Sequence, residues 1–111
     1  MLLSTSFTLQ AEDAGQCHST GIPVTIDVGT QVFGTINSSG YVFFHILTDQ
    51  QVTQSEGAPC KNVPAMGILV AGAITSYSLN WTSPSTGRYY FAFTNVESYD
   101  DSISITLWTQ Q

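Results

Sequence analysis

Hydrophobic and polar positions alternate with a period of two along most of this chain. That period puts successive side chains on opposite faces of an extended backbone, so each such run predicts a strand with one buried face. Phe7 and Leu9 alternate with Thr8 and Gln10; Val24, Ile26 and Val28 alternate with Thr25 and Asp27. Val32 to Ile36 follow a tight connection at Gly29-Thr30, with Gly34 a point of bulging or close contact. Tyr77, Leu79 and Trp81 share one face, as do Tyr89, Phe91 and Phe93, and then Ile103, Ile105 and Leu107. The run from Tyr41 to Leu47 is apolar on nearly both faces and predicts a central strand whose second face is also covered. Gly67 to Val70 makes one more short strand, and no helical stripe of useful length occurs.

Turn-forming residues punctuate these runs. The stretch from Glu12 to Gly21 reads as a loop, and Asn37-Ser38-Ser39-Gly40 as a tight turn, because Asn and Gly tolerate positive φ. Ser83 to Gly87 and Asn95 to Asp101 read as two more turns, and Asp49 to Pro64 as the longest irregular stretch. About eight strands, each apolar on one side, predict an all-β antiparallel β-sandwich of two packed sheets, of jelly-roll type, with a small barrel as the alternative. A length of 111 residues fits a single domain spanning 1–111.

Charge changes the picture of the surface. Lys61 and Arg88 are the sole basic residues against eight carboxylates, for a formal charge of -6. That balance repels phosphate backbones and argues against nucleic acid. Solubility falls instead to 27 serines and threonines and eight glutamines. No apolar run is long enough to span a membrane, so no direct insertion is expected, and Met1-Leu2-Leu3 is too short for a signal peptide. Cys17 and Cys60, the only cysteines, are expected to form a disulfide that ties down the long irregular stretch. The pair points to an oxidising compartment, hence an extracellular, cell-surface or periplasmic location. Asn37-Ser38-Ser39 and Asn80-Trp81-Thr82 match the glycosylation pattern.

Catalytic chemistry is not legible. His45 lies inside an apolar strand and reads as a core histidine, His18 as a loop residue beside Cys17, and their spacing is not that of a zinc site. Neither a nucleophile elbow nor a phosphate-cradling glycine loop occurs, so a non-enzyme is expected. Asn95, Glu97, Asp100 and Asp101 gather oxygen ligands in one turn. They read either as a solvated loop or as a calcium site, the one cofactor the sequence suggests. Tyr99, Tyr41 and Trp108 are candidate stacking platforms for a ligand, with cross-strand pairing the alternative role for such aromatics.

One resemblance bears on these expectations. The string Tyr77-Ser78-Leu79-Asn80-Trp81, then Pro84 to Asn95, then Ser102 to Leu107, resembles the Golgi-dynamics (GOLD) β-sandwich domain and similar prokaryotic cell-surface domains. Val32 to Ile36 and Val42 to Leu47 fit the same scheme. The resemblance implies a non-catalytic, extracytoplasmic module that mediates protein contacts, and the expected role is an interaction or structural module with a protein partner or self-association. The alternative is a small-ligand module for carbohydrate, assisted by calcium.

Overall fold

The computed structural model describes residues 2–11, 18–55, 67–95 and 97–110. Six strands and one short helix follow in the order β1 (Leu3–Leu9), β2 (His18–Ile26), β3 (Gln31–Thr48), α1 (Asp49–Ser55), β4 (Leu69–Thr82), β5 (Gly87–Asn95) and β6 (Asp101–Gln110). No helix among the described residues is long and apolar enough to cross a membrane. Cys17 and Cys60 lie outside the described residues, so the expected bridge does too, and the described residues contain no disulfide.

All-β content is as expected, but the architecture is not the two-sheet, eight-strand sandwich. The strands form one antiparallel sheet in the order β1-β6-β3-β5-β2, with β4 on the other side of β3, curled into a half-barrel. The jelly-roll reading and the likeness to the GOLD sandwich fail on the same point. The surplus strands arose from dividing β3 and β4. The expected turn at Asn37-Gly40 is a register irregularity between Asn37 and Val42 inside a continuous 18-residue strand. Likewise, Leu69 and Val70 of the expected short strand join the run ending at Trp81 in one 14-residue strand. A bulge and a turn use the same residues; pairing with β4 on both sides of Asn37-Gly40 selects the bulge.

The length of β3 lets one sheet cover its own apolar face. Residues 31–38 of β3 pair with β6, and residues 43–48 pair with β5, along the same edge. The irregularity between these halves turns the β6-β1 wing towards the β5-β2 wing, and their inward side chains meet. Phe7 of β1 contacts Phe93 of β5 edge-on at 5.7 Å, and Trp81 of β4 contacts Tyr89 of β5 at 5.1 Å. Phe44, fully buried just past the irregularity, packs against Tyr77, Phe91 and Phe93. Of the inward sets read from the sequence, Leu79, Tyr89-Phe91-Phe93 and Ile103-Ile105-Leu107 are buried in this core, and Tyr77 and Trp81, which share a face with Leu79, pack against it partly buried.

Two further elements depart from expectation. β2 begins at His18, inside the expected loop, because Ser19, Thr20 and Gly21 pair with Thr94, Phe93 and Ala92. The start of the expected irregular stretch is helical. The Thr48 hydroxyl accepts from the Gln51 amide and the Gln51 side chain accepts from the Thr48 amide, a reciprocal cap written as Thr-Asp-Gln-Gln. Asp49 also receives the Arg88 guanidinium at 3.1 Å, tying α1 to β5.

Gly34 sits where β3 passes closest to β6. Its φ is +149°, and a Cβ there would run into the Thr106 carbonyl oxygen. Gly34→Ala should therefore lower stability by about 1–3 kcal/mol for the backbone conformation alone. Urea unfolding of the variant measures this; an unchanged midpoint would contradict the placement of β3 against β6.

Candidate functional site

The sequence-derived candidates separate into two regions. Tyr41, Tyr99, Asn95, Glu97, Asp100 and Asp101 gather near the bend of β3, whereas Trp108 stands on β6 well away from them.

At the bend, Asn95 organises the turn between β5 and β6. It is fully buried, and its amide nitrogen donates to the backbone oxygens of Leu9, Gln10 and Tyr99 at 3.0–3.2 Å. Its Oδ1 accepts from the Glu97 amide at 2.8 Å. Asp100 accepts from the Ala11 amide at 2.8 Å. Both ends of the Asn95 amide are thus committed to backbone, and they fasten the end of β1 to the turn. No three carboxylate, histidine or cysteine side chains converge on a metal position among the described residues. Glu12 and Asp13 lie outside the described residues.

Asp101 is different. It faces inward at the first position of β6, fully buried, and neither carboxylate oxygen has a hydrogen-bond partner. Gly40 of β3 abuts it: a Cβ on Gly40 would collide with Asp101 Oδ1 and with the ring of Tyr99. Burial, followed by the carboxylates of Glu97 and Asp100, holds the Asp101 carboxyl above the usual range. The Tyr99 phenol is also raised, by desolvation first and then by Glu97, Asp101 and Tyr41, so Tyr41 and Tyr99 are neighbours here. Both tyrosines are exposed.

His45 is fully buried, as expected of a core histidine, but on the side of β3 away from the main core. It lines a depression of about 240 Å³ with Thr20, Leu47, Val52 and Tyr90, over which α1 lies.

Two surface features were not visible in the sequence, because both depend on which strands are neighbours. The first is an edge. β1 and β2 end the sheet, and the cleft between them, about 440 Å³, is lined by Leu3, Phe7, Leu9, Thr20 and Ile22. β2 carries Gly21 and Pro23, and the outer strand β4 has two breaks in register. β1 has no charge, proline or glycine, and its pairing with β6 is unbroken from Leu3 to Leu9.

The second is an outer face. Registered rows cross four strands: Ser4, Thr106, Thr35 and Ser78 in one, Ser6, Ser104, Asn37 and Ser76 in the next. Rows of this kind repeat at roughly 4.8 Å across strands and roughly 6.7 Å along them. None of the outward positions of β1, β6, residues 31–37 of β3 or residues 76–82 of β4 is ionisable. Asn37 and Asn80, the two glycosylation-pattern asparagines, are both exposed on this face.

The sign of the Asp101 effect follows from proton binding. The folded carboxyl keeps its proton to a higher pH than the unfolded one, whose ordinary value is about 3.9. Its contribution to stability is complete below that unfolded value and is lost as pH rises through the folded value. Asp101→Asn should therefore melt above the parent protein at pH 7, with the gap closing as pH falls towards 4. A variant less stable at pH 7 would show that the carboxylate holds a partner. Compared with known proteins, the chain matches no protein-family model and no curated protein.

Proposed function

We infer that this domain is a non-catalytic interaction module that assembles through the outer edge of β1, with which no described strand pairs, and with a second copy of the chain as its partner. The observation that carries the reading is the undefended state of that edge. Natural edge strands are blunted by charge, proline, bulges or brevity, because a bare row of backbone donors and acceptors recruits another strand. β2 and β4 show such devices and β1 shows none. Half-buried Leu3 and Phe7 beside the edge offer apolar surface that an added strand would cover. Two copies of β1 pairing antiparallel would give a twofold, self-complementary contact.

An extracytoplasmic setting accompanies this reading, supported by a surface that relies on hydroxyls and amides rather than charge. The non-catalytic part is supported by the burial of His45 and the commitment of Asn95 to backbone.

Ser6 is the middle residue of β1, with an exposed side chain away from the core. In a pairing centred there, Ser6→Lys places like charges opposite one another, which opposes association without touching the core. Sedimentation velocity over a concentration series should show a dimer for the parent chain and a monomer for Ser6→Lys, with equal melting temperatures at low concentration. A parent chain that stays monomeric throughout, or a variant that dimerises equally well, would overturn the reading.

A further inference from the structure

At the end of the outer face away from the bend, the hydroxyl rows give way to rings and amides. Trp108 on β6 is 42% exposed, and its cross-strand partner is Phe33 on β3. Phe33 pairs on its other side with Asn80 of β4. The next outward row brings together Gln110, Gln31 and Thr82. Two aromatic rings, three amides and one hydroxyl thus occupy adjacent positions on three neighbouring strands. The Gln31 amide nitrogen donates to Asn80 Oδ1 at 2.7 Å. That bond orders both side chains and leaves the Gln31 oxygen and the Asn80 NH2 group with capacity for a ligand.

The chemistry of these groups selects one class of occupant. A half-exposed indole presents an apolar face with a polar rim, suited to the C–H face of a pyranose ring. Side-chain amides both donate and accept, which matches sugar hydroxyls better than it matches carboxylate or phosphate. The chain carries a formal charge of -6, yet none of it lies on the outward positions of this face. A charged ligand would find no counter-charge there, whereas a neutral one loses nothing by the absence. The hydroxyl rows continue the same uncharged surface across β1, β6, β3 and β4, so an extended chain of sugars could run on from the ring.

We propose that this patch is a binding site for a neutral polysaccharide, with Trp108 as the stacking ring and Gln31, Asn80 and Gln110 as the groups that pair with sugar hydroxyls. The site goes beyond the edge-assembly reading and involves none of the residues on which that reading rests.

Native gels cast with soluble neutral β-glucan, xylan or galactomannan test it, with polygalacturonate as the charged control. The protein should come from a host that does not glycosylate, since a glycan on Asn80 would cover the patch. At least one neutral polysaccharide should retard the parent protein, and polygalacturonate should not. Trp108→Ala should weaken that binding about tenfold or more with little change in melting temperature, and Trp108→Phe should recover part of it. Gln31→Ala and Asn80→Ala should each weaken it less. Absence of retardation in every neutral gel, retardation by polygalacturonate alone, or full binding by Trp108→Ala would overturn the proposal.

Discussion

A sheet with one apolar face must bury that face, and here it is buried against another part of the same sheet. Everything else in the structure depends on β3 being long enough to serve both wings and irregular enough, between Asn37 and Val42, to turn one towards the other. The same strand edge is shared end to end by β6 and β5. Phe44 sits where the wings meet and touches aromatic rings from β4 and β5, so the bend and the core reinforce each other. Gly34 and Gly40 are required for a related reason: each lies where β3 comes too close to a neighbouring element to admit a side chain.

The inward faces were legible in the sequence because period-two alternation is a local property. Tyr89, Phe91 and Phe93, and likewise Ile103, Ile105 and Leu107, could be assigned to the core with no knowledge of their partners. Strand number was misread where a local signal had two meanings. Asn37-Ser38-Ser39-Gly40 has the composition of a tight turn, and only the pairing of Ile36 with Tyr77 and of Val42 with Ile74 makes it part of a strand. The helix α1 did have a local signature, the Thr48-to-Gln51 cap, hidden by the polar composition of the stretch that follows. The candidate site was legible as residue types but not as a constellation. Trp108 is legible as a candidate stacking aromatic, but its neighbours Phe33, Gln31 and Asn80 come from strands 28 to 77 residues away in sequence, and register alone brings them together.

The two ends of the outer surface divide the chemistry between them. Near the bend, the carboxylates of Glu97 and Asp100 flank a buried carboxyl, and the bonds that Asn95 donates and Asp100 accepts fix the backbone there. Away from the bend, the outward positions of β1, β6, residues 31–37 of β3 and residues 76–82 of β4 carry no ionisable group and are ordered by hydroxyl and amide contacts such as Ser6 with Ser104 and Gln31 with Asn80. The outward positions of these four strand segments thus stay uncharged in a chain with eight carboxylates and two basic residues.

The pairing of β1 with β6 joins Leu3 to Leu107, close to the largest sequence separation the chain permits. Closing so long a loop is entropically costly and is rewarded only once the partner strand is in place. During synthesis, β3 and β4 can pair as soon as the second of them has emerged, but β1 must wait for the last strand to be made. Until then Leu3, Phe7 and Leu9 have no strand to pair with, and the first of the six strands to be made is the last to find its place. The domain is therefore expected to fold late and as a unit, its final strand acting as the latch for its first.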